Sequence, residues 1–195
     1  MKRAPTALAG VALAAALGVA APAAAHVKAP KRAVILQVDD QGLAVLWRAE
    51  VSGRDAMLLH SLHDRDRDGA LRGMEGKRAA AVILAKAMSG TKIRWEGRAV
   101  PYNVEQVELE GEPESGQTLA AVALLSIEVP AFHGAVTVEV QKGGELQVDA
   151  QCKAPWTVTA VDRGTVAPGR DSLVAPVMLR AGTSLRMTVE RGHDG

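Results

Sequence analysis

The chain has 195 residues, with 23 Lys and Arg against 22 Asp and Glu, a near-balance that excludes a binder of nucleic acid or anionic membranes driven by net charge. One cysteine excludes a disulfide within the chain, and aromatics at 3% leave the core to Val, Leu, Ile, Ala and Met around Trp47, Trp95 and Trp156.

Residues 1–25 read as a secretory signal peptide. Lys2 and Arg3 form a basic start, an apolar run covers 7–20, and Ala23, Ala24 and Ala25 offer a small-residue cleavage site. The mature chain is expected to begin at His26, with 26–195 forming a single β-rich domain in the secreted or periplasmic space of the cell envelope. Without Lys2 and Arg3, 21 basic residues face 22 acidic ones, a net charge of −1. The longest later apolar run, 119–125, falls short of the roughly 18 residues a helix needs to span a bilayer, so no membrane span is expected after cleavage. Cys152 is expected to be a buried apolar residue.

From Ala33 the pattern alternates. Val34, Leu36 and Val38 lead to a turn at Asp39-Asp40-Gln41-Gly42, and 43–50 returns as the second strand of a hairpin. Ser52-Gly53-Arg54-Asp55 has the form of a helix-capping box, and Met57, Leu58, Leu59 and Leu62 supply the apolar face of the helix that follows. A second helix is predicted over 76–88, with Ala79, Val82, Ile83 and Met88 on one side and Ser89-Gly90 ending it. Beyond it the reading is β: 91–95, a Glu96-Gly97 turn, 102–110, a polar turn at 112–116 and 118–129. Strand 135–141 and strand 145–150 flank Lys142-Gly143-Gly144, which reads as a hairpin turn, and further strands are expected at 156–161, within 173–179 and at 184–190. The fold class is α+β: a mainly antiparallel β sandwich or open barrel, with one helix–loop–helix inserted after the first hairpin.

Between the two helices stands DRDRDGALRGME, residues 64–75. Asp64, Asp66 and Asp68 alternate, so in a coiled loop their carboxylates converge while Arg65 and Arg67 point outward. Gly69 permits a sharp turn, the Ala70 carbonyl can add an oxygen, and Glu75 can close the loop with both carboxylate oxygens. An all-oxygen set suits a hard cation, Ca2+ before zinc or copper.

Residues 54–88 resemble a single EF-hand, in which four acids, one glycine and the aliphatic Leu71 all agree with the family pattern. The resemblance implies Asp64, Asp66, Asp68 and Glu75 as side-chain ligands and Ala70 as a carbonyl ligand of calcium. Arg72 departs from it, standing where the family often places an acceptor for bound water, and Arg67 stands where glycine or asparagine is common. Both departures point to modest affinity. EF-hands pair through a short β contact at the residue that is Leu71 here, yet the chain has no second acidic loop. Leu71 is therefore expected to pair across a homodimer, to dock on the chain's own sheet, which is preferred, or to stay unpaired. His60 and His63 are expected to pack where the family carries aromatic side chains rather than to bind metal. His26, His133 and His193 are too scattered for a copper site.

The sequence has no G-x-S-x-G, H-E-x-x-H, C-x-x-C or phosphate-binding glycine loop, so no enzyme is expected. The expected function is calcium binding with a structural role in a secreted or periplasmic protein. The alternative is an adhesion or assembly β domain with a vestigial calcium loop.

Overall fold

The computed structural model describes residues 31–129 and 133–192. The signal peptide expected at 1–25, His26 and His193 lie outside the described residues. Two sheets make up the domain. The first runs in the order β10-β8-β1-β2-β6-β5 and the second in the order β4-β3-β7-β11-β9. In chain order these are β1 (Arg32–Asp39), β2 (Gly42–Val51), β3 (Thr91–Trp95), β4 (Arg98–Ala99), β5 (Asn103–Leu109), β6 (Leu119–Ile127), β7 (His133–Val140), β8 (Leu146–Cys152), β9 (Trp156–Val161), β10 (Val177–Leu179) and β11 (Thr183–Arg191). Helices α1 (Arg54–His63) and α2 (Gly73–Met88) follow the first hairpin. All pairings are antiparallel except β1 with β8. The α+β sandwich reading holds, and the barrel reading does not, because the two sheets stay separate.

Alternation explains the layers. Along β2 and β6 every second residue is buried, and the register sets Val45 opposite Leu125 and Trp47 opposite Ala123 on one face. One continuous apolar core joins that face to Val136, Val138 and Val140 of β7 and to Leu185, Met187 and Val189 of β11. Helix α2 buries Ala79, Ala80, Ile83 and Leu84 in the same core, lying against β2, β5 and β6. It therefore extends the second layer where the five-stranded sheet ends. All three tryptophans are buried, as is Cys152, whose thiol burial and the nearby Asp171 charge push up to about 12. At that value it stays a neutral thiol at physiological pH.

The Glu96-Gly97 turn stands as expected, and several other local expectations change. Glu96 and Gly97 both adopt positive φ, 50° and 74°, as a two-residue hairpin turn between β3 and β4 requires. By contrast, Lys142-Gly143-Gly144 does not close a hairpin: β7 and β8 lie in different sheets, so the three residues arch from one layer to the other. Alternation fixes which face of a strand is buried but not which neighbour it takes. The capping box over Ser52 does not form, since Gly53 occupies the cap with no side-chain bond. Helix α1 is also rotated from expectation. Met57, Leu58 and Leu62 are 59%, 57% and 63% exposed, while Ala56 and His60 are buried and Leu59 packs on the core. Val82 of α2 likewise faces outward. Among the described residues no helix is long and apolar enough to cross a membrane.

Candidate metal centre

Helix α1 ends as the Asp64 N–H donates to the His60 carbonyl at 2.9 Å, which places Asp64 at the mouth of the loop. The loop then coils through short bonds from its own backbone to its own carboxylates. The Asp68 N–H donates to Asp66 Oδ1 at 3.1 Å, the Ala70 N–H to Asp68 Oδ1 at 2.8 Å, and the Gly69 N–H to Asp64 Oδ2 at 3.2 Å. Two left-handed residues make the coil possible, Arg67 at φ 60° and Gly69 at φ 85°. A Cβ on Gly69 would meet nothing within 4 Å, so it is backbone conformation, not space, that asks for glycine there. Arg67 adopts the same region with a side chain, at a modest conformational cost.

This coil gathers Asp64, Asp66 and Asp68, each of which offers one carboxylate oxygen within 4.8 Å of the others'. Glu75, in the first turn of α2, reaches back across the loop instead: its Oε1 accepts from the Arg65 N–H at 2.6 Å and from the Asp66 N–H at 3.4 Å. The three aspartates are thus brought together, while Glu75 stands outside that group with its Oε1 on backbone N–H groups of the loop.

Asp64 is the most enclosed of the three aspartates. Its Oδ2 lies 3.8 Å from His60 Nδ1, and its Oδ1 is buried with no hydrogen-bond partner. A buried carboxylate oxygen without a donor is costly unless a cation satisfies it. His60 packs in the core side of α1, as expected of an aromatic substitute, and its Nε2 is also buried without a partner. His63 is half-buried and His133 is exposed.

The far side of the loop is held by the connection between β5 and β6. The Leu71 N–H donates to the Pro113 carbonyl at 3.3 Å, the Ser115 N–H donates to the Gly69 carbonyl at 3.2 Å, and Ala70 faces Glu114 in an antiparallel bridge. In such a wide pair the N–H and C=O of the central residue point away from the partner strand. The Ala70 N–H accordingly turns to Asp68, and its carbonyl likewise points away from the 113–115 segment. Leu71 drives into the core at 1% exposure, and Gly76 is tight enough that a Cβ would sit 3.2 Å from the Leu71 carbonyl oxygen. Leu71 therefore docks within its own chain, but on the 112–115 connection and not on the sheet as expected. The sequence showed that segment only as a polar turn. Its partner lies some 40 residues earlier, beyond the reach of any local pattern.

Arg72 links the two parts. Its Nη1 donates to Asp68 Oδ2 at 2.9 Å and its Nε to Glu112 Oε2 at 3.0 Å. The hydrogen bond to Glu112, then the charges of Asp68 and Glu112, raise the pKa of its guanidinium further, so it is a fixed cation beside the acidic cluster. The chain matches no protein-family model and no curated protein, so what the loop does has to follow from these side chains.

Proposed function

We propose that residues 64–75 bind calcium as a single EF-hand site with a structural role, in a secreted or periplasmic protein that is not an enzyme. The observation that carries this reading is the buried, donorless Asp64 Oδ1 within a cluster whose three aspartate oxygens converge. Asp64, Asp66 and Asp68 would supply one oxygen each, the Ala70 carbonyl a further one, and Glu75 would complete the set. Oxygen-only donors of this charge favour calcium over softer metals.

A structural role fits a lone loop better than a sensor role does. Sensor hands expose an apolar groove by moving paired helices, whereas here the β contact that a second hand would make is taken by 112–115 of the same domain. Calcium then ties α1, α2 and the β5–β6 connection together. The charge of Arg72 offsets part of the cluster, so affinity belongs near the range of extracellular modules, about 0.1 to 1 mM.

The test is calorimetric titration of the protein with calcium beside an Asp64→Ala/Glu75→Ala variant. Heat of binding from the parent and none from the variant supports the site, and equal heats from both refute it. Arg72→Gln removes the competing cation while leaving the ligands in place. It is expected to tighten calcium binding about three- to tenfold, in keeping with the dependence of such sites on local charge. Unchanged or weaker affinity would show that Arg72 does not oppose the ion.

A further inference from the structure

At the far end of α2, roughly 24 Å along its axis from the loop at 1.5 Å per residue, a cleft of about 590 Å³ opens between the helix, the ends of β1 and β2, and the 142–144 arch. That volume lies within the roughly 300 to 1,000 Å³ of small-molecule sites. Its walls are apolar, formed by Val51, Ile83, Ala87 and Met178. Its rim is cationic, with Lys31, Arg32, Lys86 and Lys142.

The two carboxylates at this cleft are already neutralised from outside it. Glu50 pairs with Arg48 at 2.6 Å and Glu145 with Arg180 at 3.0 Å. Lys86 pairs with Asp55 at 3.4 Å. Among the described residues, Lys31, Arg32 and Lys142 have no carboxylate within ion-pair distance. Arg32 is held in place by neutral acceptors only: Nη1 donates to the Gly144 carbonyl at 3.0 Å, and Nη2 to the Ala87 carbonyl at 2.6 Å and to Thr91 Oγ1 at 2.8 Å. Its Nε is buried with no partner. Gly143 leaves the room for this guanidinium, since a Cβ there would lie 2.7 Å from Nη1. The Arg32 guanidinium, two lysines without a carboxylate partner and an apolar wall line the same cleft.

We infer that this cleft binds a small amphipathic anion, its aliphatic chain on Val51, Ile83, Ala87 and Met178 and its carboxylate or phosphate head among Lys31, Arg32 and Lys142. Burial of the chain supplies affinity at roughly 25 cal/mol per Å² of apolar surface, and the unpaired cations select the sign of the head. The site is separate from the calcium loop and does not depend on it.

The experiment is calorimetric titration of the full chain, with and without chelator, using decanoate, decyl phosphate and decyltrimethylammonium below their micelle concentrations. Both anions are expected to bind, with or without chelator, and the cationic analogue to give no saturable heat. The order of affinity of the two anions distinguishes a free fatty acid from a phosphate-headed lipid as the source of the chemistry. In a Lys31→Glu/Lys142→Glu variant, both positions being on the surface, anion binding is expected to weaken roughly tenfold or more, with the melting temperature kept. Equal binding of the cationic analogue, undiminished binding by the charge-reversed variant, or no heat with either anion overturns the inference. A stable dimer through this cleft that takes up no decanoate overturns it as well.

Discussion

Calcium is expected to raise the melting temperature of the parent protein, and Glu75→Gln should abolish that rise. With 10 mM calcium and a dissociation constant of about 0.1 to 1 mM, linkage stabilises the folded state by about 1.4 to 2.7 kcal/mol. For a domain of this size that amounts to a rise in melting temperature of roughly 3 to 10 °C. Glutamine keeps the length of the side chain, and its amide oxygen can still accept the Arg65 N–H that Glu75 Oε1 accepts at 2.6 Å. The apo fold should therefore melt near the parent temperature, while the lost negative charge and bidentate oxygen pair remove the calcium-dependent rise. Differential scanning calorimetry with calcium and with chelator measures both. A variant that keeps the full rise would show that Glu75 is no ligand.

Leu71→Ala carries the second large effect. Leu71 is 1% exposed, and its backbone is bonded to Pro113 within the stretch that also bonds Gly69 to Ser115. Truncating a fully buried leucine costs about 2 to 5 kcal/mol, from lost burial and the cavity left behind. Because this side chain anchors the loop to the sandwich core, calcium affinity should fall with stability. Urea unfolding at fixed calcium, followed by calcium titration of the folded variant, separates the two quantities. Lost stability with unchanged calcium affinity would mean that the loop holds its shape without the core.

Much of the site was legible in the sequence because its information is local. Alternating Asp64, Asp66 and Asp68, the turn at Gly69 and the closing Glu75 sit within twelve consecutive residues, and the structure gathers the three aspartates while Glu75 folds back on the loop entrance. The β layers were legible for the same reason, since burial with period 2 marks a strand wherever it occurs. Pairing was less so. Strands β7 and β8 are consecutive and joined by a glycine-rich turn, yet each finds its partners elsewhere, β7 with β3 and β11, β8 with β1 and β10. The outward turn of Met57, Leu58 and Leu62 was missed because α1 buries one small residue and one imidazole, Ala56 and His60, which hydrophobic periodicity weights lightly. The sequence marks Arg72 as a departure from the family pattern, but its bond to Glu112 depends on a residue brought near only by the fold.

The bonds from 69–71 to 113–115 also set an order of events. A chain extended only as far as α2 holds every proposed ligand, yet it lacks the backbone partners that hold Gly69 and Leu71. Contacts of this sequence separation form late, after the intervening chain has closed. On the proposed reading, calcium would act as a latch on a hairpin already in place rather than as a nucleus around which the domain begins to fold.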